Sequence, residues 1–311
     1  MNKSYQKICP KCKNNRTKKD WKRKWRQSYK CNNCNHIWVN KKRERNISKK
    51  LYEDFAIHKQ NYLELWSKYW YSIRTIQKYL DKYEVVKCDN TKPKETIIFI
   101  DTTYFWDFWL MAFKDKNTKK ILKSKVVTYE TNKDYKDWIN ELIKQWWKIK
   151  AIVCDWRKWL LWGFWDIPTQ MCHFHQKQIW IRYLTRNPKL QANKELLEII
   201  KRLPRTDKES FEYFLCQWYK KNWNWLNEKG KDKNWKSYYI HKKTRSAYFS
   251  LKRNLKYLFV YLDYYWILDI PNTTNALESL FGYIKNRIRV HSWLKKERKI
   301  KLISYLLFSI K

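Results

Sequence analysis

Apolar residues recur at helical spacing from 51 to 82: Leu51, Phe55, Tyr62, Leu65, Tyr69, Ile73, Ile76 and Leu80. Within this run, 62–80 has the form of a helix-turn-helix. Its first helix should end at Lys68–Tyr69, and Trp70 falls at the turn, where glycine is usual. Ser72 is placed to cap the second helix. That helix would present Arg74, Thr75, Gln77 and Lys78 to a DNA major groove; an ordinary helical hairpin is the plainer alternative.

After a polar linker, Lys87–Lys94, the pattern changes to strands. Thr96–Thr103 is β-rich, and Phe108–Phe113 and Ile121–Thr128 alternate as hairpin strands would. Lys133–Trp146 predicts a helix and Lys150–Cys154 a short buried strand. A basic stretch then runs to Phe164, ahead of another strand near Thr169–Cys172. Three strands, helix, strand, helix, strand is the order of an α/β RNase H-like core, a meander joined to parallel strands by crossovers. Residues 176–262 are basic and aromatic, with clear helices at Leu196–Leu203 and Ser210–Lys220, and predict an all-helical insertion. A last helix starts near Asn275, and a basic tail runs from Lys285 to Lys311. The expected organisation has five parts. They are a zinc ribbon (1–46), a helix-turn-helix (47–90), a first core part (91–175), the insertion (176–262) and a final core helix with its tail (263–311).

Charge narrows the partners. The 311 residues carry 69 Lys and Arg against 29 Asp and Glu, a formal net charge of +40. Such an excess calls for a polyanion, double-stranded DNA first. No run of about 18 apolar residues is present, which excludes a spanning helix. A Lys-rich start without an apolar segment predicts a cytoplasmic protein. Its eight cysteines are then expected as metal ligands or core residues rather than disulfides.

Four of them form the sharpest short motif. Cys9-x2-Cys12 and Cys31-x2-Cys34 are two knuckles of the kind that clamp one structural Zn²⁺ through thiolates. The segment between them is too polar to fold alone, so the metal would supply the folding energy.

The acids are sparse. Asp101 follows Ile97–Ile100, and Asp155 follows Ala151–Cys154. A carboxylate at the C-terminal end of a buried strand is poorly placed for packing and well placed for a metal site, though either Asp alone could serve a turn or cap. Glu278, in Asn272-Thr-Thr-Asn-Ala-Leu-Glu-Ser279, is the best third ligand. Such hard oxygen donors suit two Mg²⁺ or Mn²⁺ ions.

With these motifs together, the chain resembles the DDE transposases of bacterial insertion sequences in the Mutator-like superfamily, in a branch with an N-terminal zinc ribbon. The resemblance rests on Asp101-Thr-Thr, Asp155-Trp-Arg-Lys-Trp-Leu160, Pro168-Thr-Gln-Met-Cys-His-Phe-His-Gln176 and Asn275-Ala-Leu-Glu-Ser279 with the basic helix after it. It implies Asp101, Asp155 and Glu278 as catalytic residues holding two Mg²⁺ ions. It also implies a Cys-x2-His pair, Cys172 and His175, that lies near the site or anchors the insertion. DNA contacts would come from Arg157 and Lys158 and from Lys285, Arg287 and Arg289. The implied activity is binding of element ends, DNA cleavage and strand transfer, by a homodimer on DNA. The alternative is an inactive or domesticated transposase that only binds DNA.

One compositional feature stands apart. Glycine occurs 3 times and tryptophan 21 times, where glycine averages roughly 7% of residues. An AT-rich gene accounts for the Lys, Asn, Ile and Tyr, but not for the Trp. UGA is read as Trp in some genetic codes and as Gly in others, so many tryptophans are expected where the gene encodes glycine. The resembled family has Asp-Gly-Arg-Lys-Gly where this chain has Asp155-Trp-Arg-Lys-Trp159, and glycine near Trp293. Trp21, Trp25, Trp70, Trp156, Trp159 and Trp293 are accordingly expected at turns or exposed, while aromatic packing could explain Trp38 and Trp66.

Overall fold

The structure is a computed structural model that describes residues 7–23, 26–39, 47–85, 95–155, 164 and 166–309. A small antiparallel sheet opens the chain, with β1 (Thr17–Arg23), β2 (Arg26–Cys31) and β3 (Ile37–Val39) in that spatial order.

Three short helices follow: α1 (Ile47–Ala56), α2 (Tyr62–Tyr69) and α3 (Ile73–Lys82). Local chemistry fixes their ends. Asn61 Oδ1 accepts the Leu63 and Glu64 N–H groups while Glu64 Oε2 accepts the Asn61 N–H, a reciprocal cap. Trp70 closes α2 in the left-handed region at φ 55°, and Ser72 Oγ accepts the Thr75 N–H at the start of α3. The helical run over 51–82 is thus broken twice, once more than its periodicity shows, because Asn61 starts a new helix.

The central sheet is mixed. β4 (Glu95–Phe105), β5 (Phe108–Asp115) and β6 (Ile121–Val127) form an antiparallel meander, and β7 (Lys148–Cys154) and β8 (Thr169–Met171) run parallel to β4. The order across the sheet is β6-β5-β4-β7-β8. Helix α4 (Asn132–Lys144) connects β6 to β7. The predicted helix between β7 and β8 falls largely on 156–163 and 165, outside the described residues.

Both sheet faces are covered, so β4 reads as a continuous apolar run rather than an alternating one. Ile98 and Ile100 face α4, where Tyr135, Trp138, Ile139 and Leu142 pack. Ile97 and Phe99 face the other side. They share one core with Leu51, Phe55 and Ile76 of the N-terminal helices and with Leu277, Phe281 and Ile284.

The segment after β8 departs from an all-helical insertion. It contains α5 (His173–Leu184), α6 (Gln191–Arg202), α7 (Lys208–Lys221), α8 (Trp223–Asn227), α9 (Lys242–Leu258) and α10 (Val260–Asp263). Between α8 and α9, however, β9 (Lys229–Lys231) pairs with β10 (Ser237–Tyr239). Asp232 shapes their turn by accepting the Asn234 and Lys236 N–H groups at 2.8 Å each. A Cβ on Gly230 in β9 would lie 2.9 Å from the outer end of the Tyr238 ring, which would have to shift.

The C-terminal part also differs from a basic tail. After α11 (Asn275–Val290) comes α12 (Lys296–Ser309), whose second half buries Leu302, Ile303 and Leu306. Its cations are structural in part. Arg298 clasps Asp81 at 2.9 and 2.7 Å, and Lys301 Nζ donates to the Leu80 carbonyl at the end of α3. Among the described residues, no helix is long and apolar enough to cross a membrane.

Candidate active site

Strand register brings the first two acids together. Ile97 pairs with Ala151 and Phe99 with Val153 across the parallel β4–β7 ladder. Asp101 and Asp155 lie two residues further along, so they stand at the same level; Asp155 follows the end of β7 as expected, but Asp101 is inside β4, which continues to Phe105 because the hairpin with β5 extends it. They also share the face of Ile97 and Phe99, because side chains alternate with period 2. That face carries α11, whose first turn contains Glu278.

His175 lies between the carboxylates. Its Nε2 is 4.0 Å from Asp101 Oδ1 and its Nδ1 is 3.9 Å from Glu278 Oε1. Asp101 is buried, and its Oδ1 accepts the Thr102 N–H at 2.8 Å. Burial pushes its carboxyl well above the usual range, and the charges of Asp155, Glu278 and Glu130 push the same way. Burial also raises Glu278, partly countered by His175. Burial lowers His175, with the Glu278 charge opposing. Crowded acids of this kind are a donor set that suits a hard divalent ion.

Cys172 anchors the helix that bears Glu278. Its N–H donates to the Cys154 carbonyl at 2.8 Å, and the next N–H, of His173, donates to the Asn272 carbonyl at 2.9 Å. Its Sγ accepts the Thr274 N–H at 3.3 Å and also touches Thr274 Oγ1 at 3.3 Å. Thr274 has one hydroxyl proton, and the charged acceptor nearby is Glu278 Oε1, 3.1 Å away. Cys172, His175 and Glu278 place donor atoms within 4.8 Å of one another, a set that could hold a metal ion. His173 turns away. Burial lowers its pKa to about 4, and its Nε2 lies 2.6 Å from the Leu258 carbonyl, to which it donates as the neutral ring.

Sequence reasoning missed two neighbours. Thr102 Oγ1 lies 2.7 Å from the Tyr135 hydroxyl, which donates in turn to Glu130. Glu130 follows β6, which runs in the direction of β4 and so delivers its C-terminal loop to the same end of the sheet. The acid itself, in Thr128-Tyr-Glu-Thr131, lies two residues beyond the predicted strand Ile121–Thr128 rather than directly after a buried apolar run, so nothing flagged it.

The basic residues divide. Lys285 and Arg289, one helical turn apart, line a cleft of ≈ 850 Å³ with Tyr104, Phe105 and Trp106 at the β4–β5 turn. Partial desolvation lowers the Lys285 ammonium, and the charge of Asp101 pulls it back, so the cleft and the acids share one field. Arg287 points elsewhere, over the Tyr283 ring at 4.6 Å. On α3, Arg74 and Lys78 are exposed, Gln77 is half-buried, and the Thr75 hydroxyl bonds Ser72 in the cap. Arg157 and Lys158 lie outside the described residues, as do Trp25, Trp156 and Trp159.

The cysteine cluster forms apart from the acids. Cys9, Cys12, Cys31 and Cys34 place all four Sγ atoms within 4.8 Å of one another. Cys9–Cys34 and Cys12–Cys31 are 3.6 and 3.5 Å apart, near the ~3.8 Å edge of a tetrahedron with 2.3 Å Zn–S bonds. The two knuckles repeat one backbone pattern. Lys13 N–H donates to the Cys9 carbonyl and Cys9 N–H to that of Asn14; Asn35 donates to Cys31 and Cys31 to His36 in the same way. The group could hold a structural zinc. His36 instead stacks on Trp38.

No family model matches this chain, and no curated protein matches it.

Proposed function

We propose that the protein is a DDE-type transposase that binds the ends of a mobile element and carries out metal-dependent DNA cleavage and strand transfer. The observation that carries this reading is the convergence of Asp101 of β4 and Glu278 of α11 on His175, with Asp155 level with Asp101 on the neighbouring strand. A three-stranded meander followed by two parallel strands supports an RNase H-like core. The Cys₄ group, with its antiparallel strands, supports a zinc ribbon ahead of a helix-turn-helix.

Asp101, Asp155 and Glu278 would hold two divalent ions, with Mg²⁺ the expected metal. When bound, such ions supply activation of an attacking hydroxyl and stabilisation of the leaving oxygen. The chain's own residues do the rest. Thr102 N–H and Thr274 Oγ1 orient two of the carboxylates. His175 stands between Asp101 and Glu278. Lys285 and Arg289 take phosphates along the cleft beside the acids. The net charge of +40 makes binding steeply salt-dependent.

The test is a duplex carrying the inverted repeats that flank the gene, incubated with the protein and Mg²⁺. Cleavage at the repeat end followed by joining of the 3′-hydroxyl to target DNA is expected. Salt-sensitive binding with no cleavage in either Mg²⁺ or Mn²⁺ would instead identify a DNA-binding protein that has lost catalysis. Cleavage without joining would identify a nuclease.

A further inference from the structure

Tryptophan stands where this backbone asks for glycine. Nine described non-glycine residues have positive φ, and four are tryptophan: Trp70 (55°), Trp106 (51°), Trp146 (65°) and Trp235 (57°). Tryptophan makes up 21 of 311 residues, a share that puts fewer than one among nine. The left-handed region crowds any L side chain against its own backbone and spares only glycine.

Each of the four positions is also one where glycine is usual, at a helix end or in a hairpin turn. Beyond the end of α4, Trp146 N–H donates to the Ile143 carbonyl and Trp147 N–H to the Leu142 carbonyl. These two bonds define a Schellman motif, and its left-handed residue is normally glycine. Trp106 is the first residue of the two-residue Trp106-Asp107 loop joining β4 to β5, where Gly-Asp is a common hairpin turn. Trp235 follows Asp232-Lys-Asn in the β9–β10 turn and donates its N–H to the Asp232 carbonyl at 3.0 Å. There a left-handed glycine completes the hairpin. Trp70 ends α2 at the turn into α3.

The indoles are all exposed despite this strain. Trp70 and Trp146 are 85% exposed, Trp235 78% and Trp106 52%. Other tryptophans behave as core residues. Trp218 is 4% exposed and donates its Nε1–H to the Ala192 carbonyl at 3.0 Å, and Trp138 and Trp147 are each 7% exposed. Trp146 and Trp147 are neighbours in sequence and opposite in behaviour. One is strained and in solvent; the other is relaxed and packed with Leu142.

We propose that Trp70, Trp106, Trp146 and Trp235 are glycines in the protein the cell makes, their UGA codons being decoded as glycine, and that Trp138, Trp147 and Trp218 are true tryptophans. The consequence for the cleft is direct. Glycine at 106 removes an indole from the wall opposite Lys285 and Arg289 and lets a phosphate backbone approach the hairpin.

The gene gives the first test. UGA is expected at codons 70, 106, 146 and 235 and UGG at 138, 147 and 218; UGG at the first four would overturn the proposal. The second is the mass of the tryptic peptide Tyr69–Arg74 from native cells. It should match glycine at 70, and a mass matching tryptophan would overturn it. The third compares recombinant full-length chains. The variant with Trp70→Gly, Trp106→Gly, Trp146→Gly and Trp235→Gly should melt several degrees higher than the chain as written. Trp218→Gly should melt lower. A quadruple variant that melts no higher would remove the physical argument. None of these readouts depends on transposase activity.

Discussion

The cysteine cluster and the acid cluster are built in opposite ways. The four thiols come from two knuckles of identical backbone design, within 26 residues of chain, and each knuckle is complete through its own hydrogen bonds. The acids come from positions 101, 155 and 278, and only the register of β4 on β7 and the packing of α11 bring them together. One cluster is a local fold that could hold an ion; the other is a product of the whole core. Loss of the ion should therefore unmake the first and leave the second standing.

Zinc removal breaks that comparison most forcefully. Structural zinc in small modules contributes about 10–16 kcal/mol of apparent binding free energy, more than residues 7–39 can replace from their few buried side chains. Strong chelation, or Cys12→Ser, should abolish the order of this region in amide exchange. The melting of the central sheet should move by no more than a few degrees. Coincident melting of both regions would mean that the knuckles are part of the main core.

Next in size is the loss of a carboxylate. Asp101→Ala, Asp155→Ala or Glu278→Ala should each lower metal-dependent cleavage by about 10³-fold or more, the several kcal/mol that a correctly held ion supplies. Zinc content and DNA binding should be unchanged. Undiminished cleavage by any one variant would remove that residue from the site.

Much of both clusters was legible in the sequence, and for a physical reason. Cys-x2-Cys spacing and an aspartate after a buried apolar run are local signals, and so was Ser72, which does cap α3. What stayed hidden depends on distant packing. Nothing near Glu130 marks it as a neighbour of Asp101, because Tyr135 and the direction of β6 make that contact. The cations of α12 looked like part of a basic tail, whereas Arg298 and Lys301 fasten α12 to the end of α3. The hairpin at 229–239 was missed because three-residue strands carry no readable alternation. Trp146 and Trp147 are indistinguishable in sequence, and only the helix end between them and Leu142 separates their roles.

A smaller effect probes how the distant parts of the acid site are held. Thr274 is fully buried, touches Cys172 Sγ, and donates to Glu278 Oε1 at 3.1 Å. Thr274→Val keeps the shape and removes the hydroxyl. Groups that orient metal ligands typically contribute 10–100-fold, so cleavage should fall about tenfold and the Mg²⁺ needed for half-maximal rate should rise. Cys172→Ala should raise the Mg²⁺ requirement less, since it leaves the Thr274 hydroxyl in place. An unchanged Mg²⁺ requirement in Thr274→Val would show that the hydroxyl serves packing alone.

The smallest effect is on stability, and its sign separates the two clusters most cleanly. Asp101 has its carboxyl raised by burial and then by its acidic neighbours. A group whose pKa is higher folded than unfolded favours the fold below its unfolded value, and that contribution is lost as pH rises through the folded value. Ionised Asp101 at neutral pH therefore works against the fold unless a cation balances it. Asp101→Asn keeps the oxygen that accepts the Thr102 N–H and removes the charge. The metal-free protein should gain about 1 kcal/mol at pH 7.5, the scale typical of a stabilising substitution at a functional site. That gain should shrink as pH falls through the raised value, where the wild-type carboxyl is already protonated. Mg²⁺ should raise the melting temperature of the wild type at pH 7.5 and leave Asp101→Asn nearly unmoved. The thiols should show the reverse, with Cys12→Ser destabilising residues 7–39 at every pH at which zinc binds. A destabilised Asp101→Asn would mean that the carboxylate is held by protein partners rather than reserved for a metal.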